Sequence, residues 1–406
     1  MNFNLSLYKY AFFLLVLILL PFRTSNIIFP GMGWYSSFPV SLLLYSVSFF
    51  VVLYWVAITI PNKKFAKYEL AICSIKAFYV TWILFYIVTY FKFGYQGSEY
   101  AMKYIGFLLS FVSHIVLGWI IYLYSKNSNV TDASIIWIIS VVPVLMIGSI
   151  SDVSINYRLL FGESGYDYLL VGDIIVFVTF LFLLNLGYSK KTAIVFFVIV
   201  LITSFVLFKN GSRTSFYAFV FSLSLSFLFI YRLKFAKALF LFAIAFSLGS
   251  YIFDIDYSDV LNSRIFMILD SGSSGSLGVR EQLHNIGLKR IGDNFIFGDF
   301  LGQINSPLAV SAFGSYMHNI LSHFSQFGVI GFVLYSASWI YLIVITYTNK
   351  ERLTPDEKFI IFGLLQYSIS CLAFSRAFVH TIFEAYWCFI VLCIIGVTKE
   401  RKDNHG

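Results

Sequence analysis

FKNGSRTSFY, residues 208–217, places Arg213 beside Gly211 in one of the shortest breaks between two long apolar runs. A guanidinium there has two uses. It can reach for lipid headgroups, as arginines at helix ends do, or it can join the free N–H groups of a helix N-terminus in holding an anion. A second basic group lies in SLGVREQLHNIGLKRIG, residues 276–292. Arg280 and His284 are four apart there, so on a helix they point the same way. Lys289 and Arg290 follow near its end, where a helix C-terminus favours cations. A third group is SYMHNILSHFSQFGVIGF, 315–332. His318 offers an imidazole of near-neutral pKa, suited to general-base work. Ser322 and Ser325 follow it at i+4 and i+7, and Gly328 and Gly331 allow close packing or a bend. These residue types suit an anion held beside a proton acceptor.

The elements that must position them belong to a membrane protein. The chain of 406 residues is 59% hydrophobic and 12% charged, with a mean hydropathy of +0.83. A water-soluble domain could not hide that much apolar surface, whereas lipid stabilises it. The net charge of +8 therefore reads as topology rather than nucleic-acid binding. Cys73, Cys371, Cys388 and Cys393 lie in apolar runs without metal spacing, so packing is their expected role. The first run, near 8–20, resembles a signal peptide, but PFRTSN follows without a small-residue cleavage pattern; an uncleaved first span is expected.

A span needs roughly 20 apolar residues. Runs fall near 5–22, 39–60, 70–91, 104–124, 134–151, 168–187, 192–209, 214–231, 235–253, 327–347, 357–375 and 381–397. The expected fold is an all-α polytopic membrane protein of about twelve transmembrane helices, forming a single transmembrane domain over 1–406. With the N-terminus in the cytoplasm, seventeen of the 28 lysines and arginines fall on the inner side, Lys76 included as a side chain that snorkels from one turn inside its span. Both termini are then cytoplasmic. Acidic residues such as Asp173, Asp254 and Glu281 fall outside. Residues 254–326 form an outer loop of 73 residues, a length that is usually functional or disordered. SGSSGS, 271–276, is a joint within it. Beyond the joint, Val279, Leu283 and Ile286 form one apolar stripe of an amphipathic helix. That helix can equally lie on the outer membrane surface.

Arg213 starts the eighth span by this count. Ser215, Ala218, Ser222 and Ser226 run below it, a small-residue stripe that lets another helix pack closely and makes lipid snorkelling a poorer use of the arginine. Asp173 lies near the outer start of the sixth span, after Arg158. Arg376 lies at the outer turn before the last span, and Glu384 about one turn into that span. Pairing within the bundle explains some of these charges without function. His114, alone in the fourth span, reads as a hydrogen-bonded core histidine.

GSR at 211–213, the arginine-bearing amphipathic segment of a long outer loop, and HN at 318–319 followed by GVIG resemble the O-antigen polymerase and O-antigen ligase superfamily. Eight residues separate HN from the first glycine, one fewer than in the ligase pattern, a departure that counts against the ligase branch more than against the superfamily. The resemblance implies an inner-membrane glycosyltransferase working on undecaprenyl-pyrophosphate-linked glycans at the extracytoplasmic face. It makes Arg213 the bundle arginine on the donor pyrophosphate, Arg280 the second phosphate clamp, and His318 the histidine near the acceptor hydroxyl. Arg158, Arg290, Arg376, His284 and Asn319 are the expected helpers in substrate binding. No metal or other cofactor is implied, because arginines can take the charge a divalent ion would take. The first outer loop, PFRTSNIIFPGMGWYSSF, holds no Asp or Glu, which disfavours a metal-and-carboxylate design. The lipid bilayer is the other partner, and the reading leaves room for a chain-length regulator protein.

Two other functions fit parts of this pattern. A ligase would use the same donor and a different acceptor. A flippase or other transporter of lipid-linked oligosaccharides would also suit twelve spans and a basic cavity. Transporters usually carry internal repeats, and no convincing repeat relates the halves of this chain.

Overall fold

Long apolar segments satisfy their backbone groups internally as helices, and among the described residues every regular element is helical. The structure is a computed structural model describing residues 13–20, 45–47, 74–85, 88, 98–148, 168–189, 191–231, 275–300, 319–377 and 380–403. The helices are α1 (Ser74–Phe85), α2 (Ser98–Asn127), α3 (Val130–Gly148), α4 (Tyr168–Leu186), α5 (Ala193–Lys209), α6 (Arg213–Tyr231), α7 (Gly275–Asp293), α8 (Leu321–Thr348), α9 (Pro355–Phe374) and α10 (Phe383–Asp403). Among the described residues, six are long and apolar enough to cross a membrane: α2 from Ile105, α3, α4, α6 to Ile230, α8 and α9. Shorter apolar helices are α1, α5 and Phe383–Val397 of α10. Most of the expected spans at 5–22 and 39–60, the expected span at 235–253, and the loop residues 254–274 and 301–318 lie outside the described residues.

The chain divides into two units. Unit 1 comprises Met1–Leu42, Trp119–Gly272 and Lys350–Ser368. Here α3, α4, α5 and α6 pack on one another. Their few polar side chains find partners: the Trp137 indole donates to Thr179 Oγ1 at 3.0 Å, and Thr179 and Thr203 share a hydrogen bond of 3.1 Å. Phe196, Phe227 and Phe359 meet edge to face. The first turn of α9 is set by a capping box. Thr354 N donates to Glu357 Oε2 at 2.9 Å, Glu357 N returns to Thr354 Oγ1 at 3.3 Å, and Pro355 occupies the first helical position, where its missing N–H costs nothing.

Unit 2 comprises Leu43–Gly118, Ser273–Asn349 and Ile369–Gly406. α7 spans the segment that periodicity assigned to the loop helix, and it packs against α8. α8 is not straight. Gly328 has φ 67° and ψ −173°, a region essentially restricted to glycine. Twelve residues of straight helix would separate His323 from Tyr335 by about 18 Å, yet their rings stack with centroids 3.6 Å apart. The arm 321–327 therefore folds back on the arm 329–348. The reversal is tied to the turn after α7: Val329 N donates to Phe295 O at 2.9 Å and Asp299 N to Ser325 O at 2.7 Å. A Cβ on Gly328 would lie 2.0 Å from the Ile296 carbonyl oxygen. Gly328→Ala should therefore destabilise the protein by at least the cost of the strained backbone, about 1–3 kcal/mol. A thermal melt of the detergent-solubilised variant checks this; an unchanged midpoint would contradict the reversal.

One expectation is overturned. Lys76 does not snorkel to the inner surface: it is 4% exposed, and its ammonium pairs with Glu384 at 2.5 Å. A charge in an apolar helix is costly unless paired, and the carboxylate of α10 provides the pair. The two residues share one depth, so Lys76 is not a marker of the inner end of its span.

Candidate functional site

The sequence-derived site residues divide between the units. Arg213 belongs to unit 1; Arg280, His284, Arg290, Asn319 and Arg376 belong to unit 2. Arg158, His318 and the side chain of Arg280 lie outside the described residues.

In unit 1, the chain turns between α5 and α6 through Asn210, Gly211 and Ser212. Gly211 takes φ 68°, and its N–H donates to the Phe208 carbonyl at 3.0 Å. Asn210 Nδ2 donates to the Tyr168 carbonyl at 2.8 Å, which ties the turn to the start of α4. Arg213 is the first residue of α6 and is half-buried. Beneath it lies a buried polar chain. The Ser212 and Ser215 hydroxyls are 2.6 Å apart, Ser215 donates to Asp173 Oδ1 at 3.1 Å, and Tyr367 donates to the same oxygen at 2.5 Å. Ser215, Ala218, Ser222 and Ser226 are all buried, as a stripe for close helix packing requires. A half-buried guanidinium at a helix start is a fit position for an anion.

In unit 2, the segment after His318 is held on two sides. Asn319 Oδ1 accepts from Leu321 N at 3.0 Å. Ile320 N donates to the Leu372 carbonyl near the end of α9 at 2.7 Å. Four residues on, Arg376 is fully buried, with Nη1 donating to Ser375 Oγ at 2.7 Å. Its position just past a helix C-terminus favours a cation. On the other side, Ser322 and Ser325 are buried, and Ser325 O receives Asp299 N. In α7, Leu283, His284 and Ile286 are half-buried, whereas Glu281 and Lys289 are exposed. Arg290 faces Asp299, with Nη1 3.4 Å from Oδ2 but without hydrogen-bond geometry. Burial pushes the Asp299 carboxyl above the usual carboxylate range, and the Arg290 charge pulls it back in part. Arg290 thus comes to any phosphate with a carboxylate already beside it.

His114 is a buried core histidine: Nδ1 lies 2.7 Å from the Ser110 carbonyl and 3.1 Å from Thr381 Oγ1. The carbonyl can only accept, so Nδ1 carries the proton.

Sequence reasoning missed a buried group in unit 2. Besides Lys76 and Glu384 it contains Tyr79, His323 and Tyr335, all buried. Tyr79 Oη lies 2.7 Å from His323 Nδ1. The signal is two opposite charges in separate apolar runs, which tend to find one another; hydropathy alone places them at opposite ends of their spans and hides it.

Set against known proteins, the chain matches no family model and no curated sequence.

Proposed function

We propose that this protein is a polymerase of lipid-pyrophosphate-linked oligosaccharide repeat units, of the O-antigen polymerase type, with twelve spans, residues 254–326 as an extracytoplasmic loop and both termini in the cytoplasm of a bacterial inner membrane. One observation carries most weight. The segment that follows His318 is hydrogen-bonded both to the end of α9, beside the buried Arg376, and to the turn that ends α7, the helix of Arg280 and Arg290. A proton acceptor and cations from separate parts of the chain then serve one segment.

The reaction this reading supports is a single inverting displacement. The acceptor sugar hydroxyl attacks the anomeric carbon of the donor glycan, and the carbon–oxygen bond to the pyrophosphate breaks. The pyrophosphate leaves with the electron pair, and its growing charge is met by Arg213 and Arg280. His318 takes the hydroxyl proton. The growing chain on its lipid is the donor and the incoming lipid-linked unit the acceptor.

Purified protein incubated with a synthetic lipid-pyrophosphate repeat unit should yield a ladder of longer glycans, and should do so in EDTA. Strict dependence on magnesium would overturn the arginine clamp, and no extension at all would overturn the polymerase. Transfer only to a lipid A core or a protein would identify a ligase.

A transporter of the same lipid-linked glycans is the second reading. The Lys76–Glu384 pair favours it, because transporters hold ionisable groups inside the bundle. Movement of a labelled lipid-linked glycan across proteoliposomes without extension would establish it.

A further inference from the structure

The turn that ends α7 is apolar and yet faces outward. Phe295, Ile296 and Phe297 are 52%, 55% and 56% exposed. Scattered single apolar residues on a surface need no account, but three in a row are seldom left against water. The backbone of the turn, by contrast, is well bonded. Asn294 N donates to the Arg290 carbonyl at 3.0 Å and Gly298 N to the Asn294 carbonyl at 2.7 Å. The Phe295 carbonyl receives Val329 N, and Asp299 N bonds to the Ser325 carbonyl. Gly298, with φ 81°, lies so close to Gly328 that a Cβ on it would stand 2.4 Å from the Gly328 nitrogen. The turn is thus fixed against the reversal in α8, with its polar backbone paired inward and its apolar side chains turned out. That combination suits contact with lipid, where unpaired backbone groups are costly.

The depth of the turn follows from α8. Residues 329–348 rise about 30 Å as a helix, the thickness of the hydrocarbon layer, and they belong to a segment able to cross a membrane. Val329 therefore stands at one boundary of the bilayer, and the Phe295 carbonyl bonded to it stands there too. α1 gives the same level. The Phe297 ring stacks on Trp82 with centroids 6.4 Å apart, and Trp82 stacks on Phe85 at 5.5 Å. Phe85 is exposed on an apolar helix, where lipid is the neighbour, and tryptophan favours the membrane boundary. The exposed face of the turn continues that lipid-facing side of α1. Charge sets the limit of entry. Lys289 and Asp293 are exposed just before the turn, and Arg290 faces Asp299 within it. Such groups stay at headgroup level, where lysine and arginine stems cover apolar surface and their charges meet phosphate.

We propose that the turn 294–298 is a membrane anchor, with Phe295, Ile296 and Phe297 seated among lipid at the bilayer interface beside α1 and α8. The C-terminal end of α7 is then held at the membrane surface, one of the two placements its periodicity allows. The anchor serves a polymerase and a transporter alike, so it stands apart from the reaction.

The test is a nitroxide attached to Ile296→Cys in the full-length protein, held in nanodiscs of phosphatidylethanolamine and phosphatidylglycerol. Ile296 is exposed, so the substitution leaves the fold in place. The unsubstituted protein, labelled in parallel, supplies the background from the native cysteines. Oxygen concentrates in lipid and a neutral nickel chelate in water. Relative to Gln282→Cys, on the exposed side of α7, the ratio of oxygen to chelate collisions at 296 should be severalfold higher. It should match the ratio at Ile330→Cys, exposed at the start of the second limb of α8. A ratio at 296 equal to that at 282 would overturn the anchor. Chelate collisions dominating at 330 would overturn the depth on which it rests. A label at 296 shielded from both reagents would overturn it as well, because a protein surface, a second copy or another partner, would then cover the turn.

Discussion

On the polymerase proposal, Arg213→Ala is expected to lower chain extension about 100-fold or more, and Arg280→Ala to do the same, because each would remove a cation proposed to meet the charge that grows on the leaving pyrophosphate. Neither change should prevent membrane insertion. Arg213 is only half-buried, and the turn before it is held by Asn210, Gly211 and the Ser212–Ser215 pair. The substitution therefore leaves the start of α6 intact. Arg213→Lys separates charge from geometry. Lysine keeps the positive charge but presents a point charge where arginine presents a planar fork matched to phosphate oxygens, so this variant should also fail if two oxygens are gripped at once. The measurement is the length distribution of lipid-linked glycan made by equal amounts of membrane-inserted protein. Products of normal length from Arg213→Ala and Arg280→Ala would remove both arginines from the reaction.

The helices were legible because lipid leaves few choices. A run of some 20 apolar residues must close its own backbone hydrogen bonds. The limits read from hydropathy at 168–187, 192–209 and 214–231 consequently fall within a residue or so of Tyr168–Leu186, Ala193–Lys209 and Arg213–Tyr231. The loop helix was legible for a different reason. Its 3.6-residue periodicity sits in a polar background, and 276–292 answers to Gly275–Asp293. The reversal at Gly328 was not legible. Apolar residues continue on both sides of it, and hydropathy is the same for a straight helix and a doubled one. Gly328 reads from sequence as a bend or a packing site, and only its contact with Ile296 and Phe297 decides which. His323 stayed hidden between two serines chosen for their spacing. Lys76 and Glu384 are 308 positions apart: sequence gives the cost of each charge, but the partner that offsets it is set by packing.

Removing one member of that pair should have the largest effect on stability. Glu384→Leu leaves the Lys76 ammonium buried among Phe111, Tyr335, Trp339 and Trp387 with no carboxylate. Ring faces attract a cation, but by about 0.5–2 kcal/mol, too little to offset the loss of solvation. Breaking a buried pair from one side costs about 3–5 kcal/mol, a large part of the stability of an ordinary domain. The expected result is a sharp fall in folded protein after solubilisation and a lower melting temperature. Lys76→Met in the same chain should restore both, because two apolar side chains then fill the site and no charge remains to be solvated. A single Glu384→Leu variant as stable as wild type would mean that Lys76 reaches water or another anion, and the buried pair would lose its energetic basis.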